Sequence, residues 1–173
     1  MRDRGGLFVR LTSAFTSIHA PRKTQNVFPA QELKTTLSGK DRTMYSATSH
    51  SIHIEVEPTY LEDQSEPEQG YYVWAYHIVI ENRGEKTVQL RSRHWKITDA
   101  SGHLHEVRGP GVVGEQPVLR PGECFEYTSG TPLATPSGIM FGTYQMETDK
   151  GETLEVKIPA FSLDCPFAAR LPN

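Results

Sequence analysis

An all-β chain, built as an antiparallel Greek-key sandwich with a tail in front of it, is what this sequence predicts. Three observations lead there. Short apolar-alternating segments recur with turn signals every 8 to 12 residues or so, as in sandwich folds. The chain carries 12 Pro and 14 Gly in 173 residues, a heavy load of turn formers that favours many short strands over long helices. The hydrophobic share of 36% is modest, which together with those turn formers again favours short strands.

Residues 1–43 lack a sustained period of any kind. They hold eight Lys/Arg against three acids, a net +5, and are punctuated by Ser and Thr. Such a stretch fits a flexible extension, a targeting segment, or a start codon placed upstream of Met44; a short helix around residues 29–37 is one further option. Residues 44–173 form the folded domain. The first strand is His50–Glu57, with Ile52, Ile54 and Val56 inward, and Pro58 ends it. An acidic, solvated loop spans 61–70 without calcium-loop spacing. Tyr71–Glu81 is the strongest strand; apolar residues at both parities mark it as central. A hairpin turn is expected at Asn82–Glu85, with Gly84 free to take positive φ.

The next strand switches parity. Val88 and Leu90 are even, Trp95 and Ile97 odd, and all four read as core, so one extra residue must be absorbed between them. We expect a β-bulge within Arg91–His94 that splays Arg91 and Arg93 away from a flat edge. Asp99–Gly102 is a turn and His103–Arg108 the returning strand. A glycine-rich loop follows, then a turn at Pro117–Glu123, a strand at Cys124–Tyr127, and a loop from Thr128 to Ser137. Gly138–Thr148 and Glu152–Ile158 make a hairpin about Asp149–Gly151, and Pro159–Leu163 stays extended. That makes seven strands.

Composition excludes several functions. No apolar run approaches the roughly 18–20 residues that cross a bilayer. The chain's net charge is −3; after residue 43 it holds ten Lys/Arg against eighteen Asp/Glu, a net −8. An acidic body argues against a nucleic-acid reader. Cys124 and Cys165 lack metal or redox spacing; free thiols in a reducing cytoplasm are the plain reading, a disulfide the lesser one.

Two constellations are candidate sites. Gly109-Pro-Gly-Val-Val-Gly114 matches G-x-G-x-x-G after a strand, so its amides could gather round a phosphate or other small anion. Arg108 would be the charge partner, with Arg91, Arg93 or Arg120 beside it. The dinucleotide version is excluded: that motif must open a helix, whereas Pro117 and Pro121 follow closely and Pro110 removes a donor. A structural loop between sheets is the plainer reading. Second, His103 and His105 lie on one side of a strand about 7 Å apart, a spacing that can share a divalent metal, with His94 as a third ligand if register permits. An exposed polar strand face is the plainer reading there. Neither Ser129-Gly130 nor Ser137-Gly138 is a nucleophile elbow, and neither cysteine has a flanking His. No residue pattern calls for a cofactor, and a non-enzymatic binding module is the expectation.

The motifs Tyr72-Val-Trp-Ala-Tyr76, Ile80-Glu-Asn82, Leu90-Arg-Ser-Arg-His-Trp95, Ile97-Thr-Asp99, Val107-Arg-Gly-Pro-Gly-Val-Val-Gly-Glu-Gln-Pro117, Pro121-Gly122, Tyr127 and Gly142-Thr-Tyr-Gln145 occur in order and resemble the ApaG family over about residues 46–165. The resemblance implies a fibronectin-type-III-like sandwich. It implies a link to cobalt and magnesium tolerance, and proximity to a diadenosine tetraphosphatase in bacterial operons. In eukaryotic F-box and polymerase-delta-interacting relatives it implies protein contacts. It also implies a nucleotide or pyrophosphate site at Gly109, Gly111 and Gly114 with Arg108. An efflux label sits badly with a chain that lacks a spanning run. The expected partner is thus a protein or a small anionic ligand; a second copy of the chain is one arrangement left open. The alternative is a metal- or nucleotide-linked regulator of divalent-ion homeostasis.

Overall fold

The computed structural model describes residues 43–167. The extension expected over 1–43, and the helix expected at 29–37, lie outside the described residues apart from Thr43. Among the described residues nine antiparallel strands follow one another: β1 (Tyr45–Ser49), β2 (Ile52–Tyr60), β3 (Tyr72–Asn82), β4 (Val88–Asp99), β5 (Leu104–Pro110), β6 (Val118–Leu119), β7 (Cys124–Leu133), β8 (Ser137–Thr148) and β9 (Thr153–Asp164). They form two sheets. One has the order β1-β2-β3-β7; the other runs β5-β4-β8-β9, with β6 also paired to β4.

The core lies between the inner faces. Ile52, Ile54, Val56, Trp74, Ile78 and Ile80 from the first sheet are buried against Leu90, Trp95, Met140, Tyr144, Met146 and Val156 from the second. Alternation of large apolar and polar side chains along each strand produces this, because successive residues point to opposite faces. Trp95 anchors the centre, meeting Tyr76, Tyr144 and Phe161 with ring centroids 5.5, 6.3 and 6.1 Å away.

The parity switch in β4 resolves as expected: pairing with β8 slips between Leu90 and Ser92, which makes Arg91 the extra residue. The edge expected there is absent. β4 sits between β5 and β8, and Arg93 shares the parity of Trp95 and Ile97, so its side chain starts from the inner face. A second slip lies between Met140 and Gly142, where one β8 residue faces Pro159 and Ala160 on β9. It returns Phe161 and Leu163 to the core after Val156 and Ile158.

Several boundaries differ from expectation. β1 precedes the first expected strand and turns into β2 through His50 and Ser51, both at positive φ. Pro58 continues β2, opposite Tyr76. The β1 ladder begins at Tyr45↔Val56, so Pro58 lies where that side of β2 is already an edge, a place that tolerates a missing N–H. Likewise β7 runs on through Pro132 to Leu133, because β7 is itself an edge strand. The 61–70 segment forms two single 3-10 turns, largely exposed.

The expected hairpin at 82–85 is instead a crossover between sheets. Gly84 is absent from the residues with positive φ; it is small because a Cβ would approach Ser51 Cβ at 3.2 Å and Asn82 Oδ1 at 3.3 Å. Asn82 holds the crossover. Fully buried, it donates from Nδ2 to the carbonyls of Lys86 (2.8 Å) and Leu119 (3.0 Å) and accepts at Oδ1 from the Gly84 amide (3.0 Å). Both ends of the amide are thereby satisfied, as burial requires.

Candidate functional site

The stretch from Arg91 to Gly114 becomes the bulge of β4, all of β5, and the turn after it. β5 pairs with β4 in the register Ser92↔Pro110 to Thr98↔Leu104, and no strand lies beyond it among the described residues. Every β5 residue except Gly109 is exposed. Leu104 keeps 53% and Val107 43% of its surface open although they point to opposite faces. The sequence predicted this strand but not its isolation. The signal was present: His-Leu-His-Glu-Val-Arg has apolar and polar residues at both parities, which suits a strand with no core behind it.

The glycine motif splits. Gly109 and Pro110 belong to β5, while Val112 and Glu115 exchange backbone bonds of 2.8 Å each around Val113 and Gly114. Both central residues have positive φ, 43° and 83°, as in a type I′ turn. Gly111 is obligatory, since a Cβ there would lie 2.1 Å from the Glu115 carbonyl oxygen. Val112 is fully buried beneath the turn. Chain closure thus occupies the amides of Gly111, Val112 and Glu115; those of Val113 and Gly114 take no part in the turn's bonds.

The predicted cations are spread out. Arg91 leaves the bulge toward Glu147 (2.9 Å), Arg108 pairs with Glu106 (3.2 Å), and Arg120 lies 3.8 Å from Glu123. Arg93 differs. Its Nη1 donates to the carbonyls of Pro110 (3.1 Å) and Gly111 (2.7 Å), and no carboxylate pairs with it among the described residues. A Cβ on Gly109 would meet the guanidinium at 3.3 Å, so Gly109 gives Arg93 its seat. Behind it, the hydroxyls of Tyr127 and Tyr144 share a buried 2.6 Å hydrogen bond. Burial pushes both phenols far up, Tyr127 further raised by its tyrosine neighbour, while the Arg93 charge pulls the other way.

The histidines do not converge. His103 and His105 stay on one side of the strand and exposed, and His103 Nδ1 lies 3.2 Å from an Asp99 carboxylate oxygen. His94 cannot be their third ligand, because it projects from the other face, where its Nε2 meets Glu106 at 2.7 Å. Parity decides this: His94 pairs with Arg108, whereas His105 pairs with the inward Ile97. His94 and then Arg108 hold the Glu106 carboxyl below its usual range. Among the described residues, no group of three or more His, Cys, Asp or Glu side chains is placed to hold a metal. Both thiols are free, Cys124 exposed and Cys165 buried. No helix there is long and apolar enough to cross a membrane.

With this geometry in hand, the chain can be set beside known proteins. The family model of the ApaG domain matches residues 62–148. The chain belongs to the ApaG family. Protein ApaG of Parvibaculum lavamentivorans is 75% identical over 128 residues, covering 74% of this chain and 98% of that one. Protein ApaG of Rhodospirillum centenum is 65% identical over 130 residues, 75% of this chain and 100% of its own. A crystal structure described as an ApaA protein of Bordetella pertussis superposes with a TM-score of 0.65 at 50% identity, over 66% of this chain and 94% of that one.

Proposed function

We propose that this ApaG-family chain is a non-enzymatic interaction module whose recognising element is β5, exposed on both faces at a sheet edge that no strand covers among the described residues, and whose partner is a protein. The observation that carries the reading is the row of backbone groups that β5 turns to solvent, flanked by open Leu104 and Val107. An edge of this kind accepts an added strand, main-chain bonds giving affinity and alternate side chains specificity. The link to cobalt and magnesium tolerance implied by the family resemblance then runs through the partner.

A photo-crosslinking residue at Val107, set against one at Glu155 on β9 in the same cells, tests the reading. Adducts at 107 that Glu106→Pro abolishes are expected. Equal labelling from both positions, or none from 107, refutes it.

A second reading is favoured by Arg93, a half-buried cation that donates to the Pro110 and Gly111 carbonyls at the entry to the Val113–Gly114 turn and pairs with no carboxylate among the described residues. A small anion such as pyrophosphate would complete that environment. Titration with millimolar pyrophosphate should shift the amide resonances of Gly111–Gly114, and should not do so in Arg93→Gln; unchanged resonances dispose of the site.

A further inference from the structure

The outward groups of β5 can be identified one by one. The Gly111 amide donates to the Arg91 carbonyl (2.9 Å), and the Asp99 amide to the His103 carbonyl (3.1 Å). Both bonds continue the β4–β5 register. Alternate pairs of an antiparallel ladder carry the bonds, so His105, Val107 and Gly109 point their backbone groups at β4. Leu104, Glu106 and Arg108 therefore present theirs to solvent, and Pro110 points its carbonyl the same way while one lone pair accepts from Arg93. Pro110, which has no N–H, occupies an outward position where none is used by the sheet.

We infer that the strand completing this edge is β5 of a second copy of the chain, paired antiparallel about a two-fold axis through Val107. This rests on the reading of β5 as the contact strand and names its partner. Only like-class positions can pair across the axis, which leaves few registers. An axis through Glu106 would set Glu106 against itself, and one through Arg108 would set Arg108 against itself; both oppose like charges. An axis through His105 pairs only Leu104 with Glu106. The axis through Val107 places Glu106 opposite the partner's Arg108 and Leu104 opposite the partner's Pro110. On the other face Val107 meets the partner's Val107, and His105 meets the partner's Gly109. The amides of Leu104, Glu106 and Arg108 all find carbonyls, and both exposed apolar side chains are covered. Such a contact is isologous, so it closes at two copies.

Sedimentation of the full chain from micromolar to millimolar concentration tests this. The wild type should move from monomer to dimer. Glu106→Arg and Arg108→Glu should each weaken association by at least about tenfold, or 1.4 kcal/mol, and the double swap should restore it; unchanged melting of each variant would show that the fold is kept. Rescue by the double swap is a readout that a merely structural role would not give. A chain that stays monomeric throughout, or a dimer indifferent to both swaps, overturns the inference. Adducts at position 107 from another protein in a monomeric chain would overturn self-pairing while leaving β5 as the contact strand; loss of both would sink both readings.

Discussion

The two long sides of this sandwich treat their edges differently. On one side β1 and β9 come together: the Lys157 amide donates to Ser49 Oγ at 2.9 Å, and the Tyr45 and Ser162 hydroxyls share a 2.7 Å bond. Tyr45 also lies over Phe161, ring centroids 6.2 Å apart. On the other side β5 and β7 end their sheets without a hydrogen bond between them among the described residues, and Arg93 fills the inner face near β5. The lesson is that side chains can seal a sheet edge without a full strand ladder, and that an edge left unsealed, with charges and a terminal proline, is a surface. Substitutions on the β1–β9 side should therefore cost stability, and those on β5 should cost association.

The largest contrast is between Phe161→Ala and Val107→Ala. Phe161 is buried at the junction of Tyr45, Tyr76 and Trp95, so its truncation should cost about 3–5 kcal/mol in urea unfolding. Val107 has no such surroundings, and its truncation should stay within about 0.5 kcal/mol. Equal losses would show that β5 is part of the cooperative core after all. Next comes the turn. Gly111→Ala places a Cβ against the Glu115 carbonyl at positive φ and should cost roughly 1–3 kcal/mol, showing that the open side is rigid at one end.

The tyrosine pair supplies a pH test. Tyr127 and Tyr144 have raised folded-state values through burial, so both stay protonated in the fold while the unfolded phenols ionise near pH 10. The unfolded state then binds fewer protons, and stability falls as pH rises past about 10, by up to about 1.4 kcal/mol per pH unit for each group. Thermal melts between pH 8 and 11 should show this, and the Tyr127→Phe/Tyr144→Phe double variant should flatten the decline. A decline of the same slope in that variant would assign the effect elsewhere. Smaller still, Ser49→Ala removes the acceptor for the Lys157 amide at an exposed position and should cost about 0.5–1.5 kcal/mol.

What could be read from sequence follows from which forces leave a periodic mark. Burial does, so the central strand β3 and the bulge at Arg91 were legible from apolar parity alone. The β9 bulge leaves the same mark, in the step from Val156 and Ile158 to Phe161 and Leu163, but it lies beyond Ile158, where the expected strand stops. Tyr45-Ser-Ala-Thr-Ser49 leaves none, since β1 is held by its backbone ladder to β2, by hydroxyl bonds and by one aromatic ring. Asn82-Arg-Gly-Glu85 has the chemistry of a hairpin turn, and only the buried Asn82 amide, reaching Leu119 far along the chain, makes it a crossover. At the site, sequence brought the arginines together by proximity in the chain. Strand parity and the bulge send Arg91, Arg93 and Arg108 to different surroundings, and sheet order, invisible in a single sequence, made β5 an edge.

The finest test of the two-sided picture reads single amides of β5. Exchange at His105, Val107 and Gly109 should be slowed by bonding to β4, and exchange at Leu104, Glu106 and Arg108 should approach that of an open chain in dilute solution. Raising the protein concentration should slow that second set and leave the first set nearly unchanged, because self-pairing adds bonds only to the outward amides. On the closed side, the Lys157 amide bonded to Ser49 should be protected at every concentration, and Ser49→Ala should release it. If the outward amides of β5 were protected even in dilute monomer, the edge would already be covered within the chain, and the difference between the two sides would lie in which segment covers each.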